Sequence, residues 1–123
     1  MYNYEKAVEN DLMQWLSDNG AVWGGMDKEE LREYLDDQLW SEDSVTGNAS
    51  GSYWCDREMA HMCIREDENA MDYLRGARDD GLITDDEIGF RFLSEDWEWF
   101  DVMIRCYVLS SVVEKVVSEL NLA

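Results

Sequence analysis

Phe100 to Leu120, FDVMIRCYVLSSVVEKVVSEL, sets Phe100, Met103, Ile104, Tyr107, Val108, Val112, Val113, Val116, Val117 and Leu120 at spacings of mostly three and four. The pairs Val112-Val113 and Val116-Val117 are β-prone, but the spacing and the length favour a helix. Its apolar groups fall on more than one face, so such a helix must be enclosed by its neighbours. The segment therefore predicts a central helix, opened by a cap at Ser94, around which the rest of the chain wraps.

Working outward, Val8, Leu12, Trp15 and Leu16 give an amphipathic helix over about residues 4–18, ended near Asn19-Gly20. Asp27 followed by Glu30 forms an N-terminal cap for a second helix with Leu31, Tyr34, Leu35 and Leu39 on one face. Ala21 to Gly25 reads as a loop anchored by Trp23. A third helix starts near Asp56 with Met59, Met62 and Cys63 inward, and the polar run Arg65 to Asn69 marks a break before Ala70, Tyr73 and Leu74. Gly81 stops that helix, and the capping box Thr84/Glu87 opens another that runs to about Leu93. Residues 44–54, SVTGNASGSYW, carry the turn dipeptides Gly47-Asn48 and Gly51-Ser52 and predict a small hairpin or an ordered loop. The expected architecture is mainly α: one domain over residues 1–123, a compact bundle of four to five helices around the apolar C-terminal one.

Charge then limits what such a bundle binds. The chain has 123 residues with 29 acidic and 10 basic side chains, a formal net charge of -19. With 46% hydrophobic residues it is a folding sequence rather than a solvated tail. Nucleic acid and anionic membrane are polyanions that demand a basic footprint, so neither is expected as a direct ligand. Taken by segment, residues 1–43 sum to -9, 44–64 to -1, 65–101 to -9 and 102–123 to zero. The repulsion is confined to two outer blocks, while the central helix is neutral. Met1 to Asn10 contains Glu5 and Glu9 and no apolar run, and no segment has the ~18 apolar residues of a membrane span, so a cytoplasmic protein is expected. Three cysteines, Cys55, Cys63 and Cys106, at irregular spacing fit reduced thiols better than a disulfide framework.

Catalytic chemistry finds little to stand on. His61 with Cys55 and Cys63 offers zinc ligands, but without the paired CxxC spacing of structural sites, and a core thiol beside a helix-packing histidine accounts for the same letters. Asp80 to Glu87 reproduces the second half of an EF-hand loop, yet Gly76 and Arg78 stand where the first ligands belong, and a helix stop followed by a capping box explains it as well. No Gly-rich phosphate loop is present, and paired acids such as Asp36-Asp37 or Asp79-Asp80 have no complementary group. No catalytic residue, metal ligand or cofactor is assigned.

The distinctive feature is the acidic surface. Glu29, Glu30, Glu33, Asp36, Asp37, Glu42 and Asp43 make one group; Glu66, Asp67, Glu68, Asp72, Asp79, Asp80, Asp85, Asp86, Glu87, Glu95, Asp96, Glu98 and Asp101 make the other. Duplex DNA presents one negative charge per about 1.7 Å of axis, and an acidic helical rod can offer a similar potential to a protein built to grip phosphates. In Asp96-Trp97-Glu98-Trp99-Phe100 one helical stripe cannot bury all three aromatics, so an exposed Trp97 or Trp99 is expected to meet an arginine-rich partner.

Leu39 to Tyr53 (LWSEDSVTGNASGSY), Asp101 to Leu109 (DVMIRCYVL) and the start YNYEKAVENDL resemble a family of small acidic proteins of gut Firmicutes and their phages and mobile elements. That setting resembles the setting of anti-restriction and anti-CRISPR proteins, several groups of which are acidic DNA mimics. Residues and resemblance together lead to an expectation of a non-enzymatic protein whose acidic side chains, with Trp97 and Trp99, bind a basic partner such as a nucleic-acid-binding enzyme. The alternative is a Trp-rich assembly module that forms a homodimer, with the acids serving solubility alone.

Overall fold

The computed structural model describes residues 2–38 and 57–120. The expected hairpin or loop at 44–54, and Leu39, Glu42 and Asp43, lie outside them. Among the described residues there are seven helices and no strand: α1 (Tyr4–Asp18), α2 (Gly20–Trp23), α3 (Lys28–Gln38), α4 (Arg57–Glu66), α5 (Ala70–Asp79), α6 (Asp85–Leu93) and α7 (Trp97–Glu119).

Helix α7 is the axis of the bundle, and α1, α3, α4, α5 and α6 all pack on it. Its buried residues, from Phe100 through Ile104, Val108, Leu109, Val112 and Val113 to Val116 and Val117, cover more than one face, while Ser110, Ser111, Glu114, Lys115, Ser118 and Glu119 leave a solvent-facing strip along its C-terminal half. At 1.5 Å per residue it is about 34 Å long. Each outer helix contributes one stripe: Tyr4, Val8, Leu12 and Leu16 from α1, Leu31 and Leu35 from α3, Ala60 and Cys63 from α4, Ala70, Leu74 and Ala77 from α5.

The caps fix where these stripes begin. Asn3 Oδ1 accepts from Lys6 N–H at 3.0 Å, and Asp27 Oδ1 accepts from Glu30 N–H at 2.8 Å. Thr84 and Glu87 form the reciprocal capping box. Gly81, at φ +80°, ends α5, with Leu82 N–H returning to the Ala77 carbonyl. Gly76 and Arg78 are inside α5, so the residues from 76 to 87 are a helix end and a helix start, not a calcium loop.

Three local expectations are corrected, and the expected break before Ala70 is present. Residues 21–25 are not all loop: the short helix α2 forms, held by Trp23 Nε1 donating to the Leu16 carbonyl. Met59 and Met62 are exposed, because α4 turns Ala60, Cys63 and the half-buried Ile64 inward. The break before Ala70 comes from Asp67, whose carboxylate points into the protein and accepts from the N–H groups of Tyr4 and Asn69, both at 2.8 Å. Ser94 does not open α7: its N–H bonds back to Phe90 O as the end of α6, Glu95 takes a left-handed turn at φ 52°, and α7 starts after Asp96.

Candidate functional site

Acidic side chains divide between the two ends of the α7 axis. Lys28 Nζ donates to the Ser118 carbonyl at 3.0 Å, which puts the start of α3 against the C-terminal end of α7. Glu29, Glu30 and Glu33 are exposed there, and among the described residues none of them forms an ion pair. Asp36 and Asp37 lie in the last turns of the same helix. The second group gathers at the other end, where Arg91 of α6 pairs with Asp96 at 2.6 Å, beside the first turn of α7. Exposed Asp79, Asp80, Asp85, Asp86 and Glu87 surround the α5–α6 turn. This group is partly neutralised: Arg75 pairs with Asp72, and Arg78 reaches both Asp79 and Asp85 at 3.4 Å. Glu66 is exposed at the end of α4, whereas Asp67 is buried and belongs to the α1–α4 junction, not to the surface.

Trp97 and Trp99 are half-buried rather than exposed, because each has an internal partner. Trp97 stacks on His61 with centroids 4.3 Å apart and planes 6° from parallel. Trp99 lies edge-on to Phe100 and carries the Arg91 guanidinium 5.2 Å from its ring centroid. His61 is thereby a packing residue, and Cys63, two positions on, faces the core. Cys55 lies outside the described residues. Burial pushes the Cys106 thiol up to about 11, which leaves it protonated and unreactive at neutral pH.

One acidic residue counted with the surface group is a core residue. Asp101 is buried where α7 meets α1; its Oδ1 accepts from Tyr4 Oη at 2.6 Å and its Oδ2 from Arg105 Nε at 2.9 Å. Arg105 Nη2 also donates to Tyr2 Oη at 2.7 Å, and the guanidinium lies 4.9 Å from the Tyr4 ring centroid. Burial pushes the Asp101 carboxyl up to about 6, against the lowering effect of the Tyr4 hydroxyl. Burial likewise raises Tyr4 and Asp11 and lowers Arg105, whose charge is supported by Tyr2, Tyr4 and Asp11. Asp101 and Arg105 stand four apart in an otherwise apolar helix, the spacing of a pair, and that spacing is the signal through which the sequence shows this network.

A feature with no warning in the acidic pattern is an apolar pocket of about 200 Å³ between α4, α5, α6 and α7. Ile64, Leu74, Ile88, Trp97 and Phe100 line it, with Met71 and Phe92 at its edge. Next to it α6 buries no residue fully and leaves Phe90 67%, Phe92 54% and Leu93 87% exposed. No helix among the described residues is long and apolar enough to cross a membrane. Compared with family models, curated proteins and solved structures, the chain matches none.

Proposed function

We propose that this protein binds a basic protein partner through its acidic surface, as a decoy for the phosphate-gripping groove of a nucleic-acid-binding enzyme. The observation that carries the reading is the exposed row Glu29, Glu30 and Glu33, none of which forms an ion pair among the described residues, Lys28 at the start of the same helix being turned to the Ser118 carbonyl. Three exposed carboxylates without an ion pair on two turns of a helix repel one another, and a partner supplying cations relieves that repulsion. The second acidic group, around Asp80 and Asp86, sits toward the far end of an axis about 34 Å long, close to one helical turn of B-form DNA. That separation matches a basic groove spanning one turn of duplex.

The test is capture of nucleic-acid-binding proteins from lysate at low salt, followed by competition with duplex DNA. Bound proteins are expected to elute as salt rises through the physiological range and to be displaced by DNA. The triple variant Glu29→Lys, Glu30→Lys and Glu33→Lys is expected to lose them. Recovery of no such protein at low salt would refute the reading.

A second reading is favoured by the exposed Phe90 and Leu93, since monomers seldom leave such groups together in water. It makes the protein an assembly module that pairs through α6. Light scattering across concentration separates the two, because a strict monomer removes the second.

A further inference from the structure

The pocket between α4, α5, α6 and α7 is lined by the aliphatic Ile64, Leu74 and Ile88 and by the three rings of Phe92, Trp97 and Phe100. The rings make an aromatic corner. Phe92 stands edge-on to Trp97 and to Phe100, with centroids 5.5 Å and 6.3 Å apart, and Trp97 is tilted 37° to Phe100. His61, stacked on Trp97, anchors the indole from outside the pocket lining. The charged residues of the lining are Arg75, Arg78 and Asp85, and each already has a partner. Arg75 pairs with Asp72, and Arg78 reaches both Asp79 and Asp85 at 3.4 Å. No unpaired charge of either sign is therefore offered to a ligand, and volume and wall chemistry decide the occupant.

A dry apolar cavity of about 150 Å³ holds one benzene, so about 200 Å³ admits one aromatic ring with a short side arm. Half-exposed Met71 and Phe92 are part of the lining, which gives such a molecule a way in from solvent. We propose that this pocket is a binding site for a small uncharged aromatic molecule, whose ring packs into the corner of Phe92, Trp97 and Phe100 against Ile88 and Leu74. The three rings favour an aromatic guest over an aliphatic one of equal size, because a fourth ring adds edge-to-face contacts to those already present. The site is separate from the acidic row Glu29, Glu30 and Glu33, and the inference stands independently of the basic-partner reading.

The experiment titrates the full chain with four matched probes: phenethyl alcohol, cyclohexylethanol, phenylacetate and phenethylamine. Binding is read by NMR from the δ1-methyl groups of Ile64 and Ile88, which line the pocket, with Ile104, buried outside that lining, as the internal reference. Phenethyl alcohol is expected to shift Ile64 and Ile88 with a Kd of about 1 mM or below. Cyclohexylethanol is expected to bind about two- to tenfold more weakly. Both charged probes are expected to bind more weakly than the alcohol, since each must bring its charge to a mouth whose ions are already paired. Ile88→Phe, at a half-buried position of a helix that buries no residue fully, fills the pocket and is expected to weaken the alcohol at least about tenfold. Phe92→Ala is expected to remove the preference for the aromatic over the aliphatic alcohol, and circular dichroism checks that both variants stay folded.

No shift of Ile64 or Ile88 by phenethyl alcohol up to about 10 mM would overturn the proposal. Tighter binding of phenylacetate or of phenethylamine than of the alcohol would overturn it by giving the pocket to an anion or to a cation. Equal binding of the two alcohols, or binding of phenethyl alcohol unaffected by Ile88→Phe, would do the same by removing the aromatic corner or the pocket from the contact. None of these outcomes bears on the capture of a basic partner, so the two readings fail separately.

Discussion

A Cβ built on Gly76 of α5 would stand 2.5 Å from Cζ of Tyr107 on α7, closer than such atoms approach. Glycine costs about 1 kcal/mol relative to alanine inside a helix, so its presence in the middle of α5 reflects this contact. Gly76→Ala is expected to destabilise the protein by about 1–3 kcal/mol despite the better helix former. In a Tyr107→Leu background the same change is expected to become neutral or favourable, and urea unfolding of the four species measures the coupling.

The buried Arg105 holds α7 to α1 through Asp101, Tyr2 and Tyr4. Arg105→Met leaves the Asp101 carboxylate in the core with the Tyr4 hydroxyl as its hydrogen-bond donor, and is expected to cost about 3–5 kcal/mol. Tyr4→Phe removes one donor and is expected to cost about 1–3 kcal/mol. Thermal unfolding should rank the two in that order.

Acidification should stabilise the fold over a defined window. Asp101 is raised to about 6 and Asp11 is raised as well, both by burial, so below 6 the folded state holds protons that the unfolded chain, with carboxyls near 3.8, has released. Folded protein binding more protons means stability falls as pH rises. The contribution is complete below about 3.8 and lost as pH passes 6. Unfolding free energy measured at high salt, where surface repulsion is screened, is expected to decrease from pH 4 to 6, and Asp101→Asn should flatten that slope.

Glu95 occupies a left-handed backbone position, at φ 52°, between α6 and α7. Its 3.8 Å contact with Arg57 joins two exposed side chains and contributes little. Glu95→Gly relieves the backbone strain and is expected to raise stability by up to about 1 kcal/mol, read as a shifted urea midpoint with unchanged slope.

The architecture was readable because α7 carries apolar residues on more than one face and α1, α3, α4 and α5 each show one buried stripe. Helix ends were legible where the residue type makes them, through the side chains of Asn19, Asp27 and Thr84 and the left-handed backbone of Gly81. They were misread at Ser94, where the turn is made by the backbone of Glu95, a residue type that gives no sign of a left-handed conformation. Composition counted every acid as surface. That count wrongly took in Asp67 and Asp101, whose burial depends on donors distant in sequence, the Tyr4 amide and the Tyr4 hydroxyl. The pocket could not be read at all, since four helices contribute its walls. Trp97 and Trp99 were expected to be exposed, since no single stripe accommodates three aromatics, and are half-buried because their partners, His61 and Arg91, come from other helices.

The placing of α7 after every helix that packs on it bears on how the protein is made. While the chain emerges from a ribosome, the stripes of α1, α3, α4 and α5 have no surface to close on until Phe100 to Val117 have followed them out.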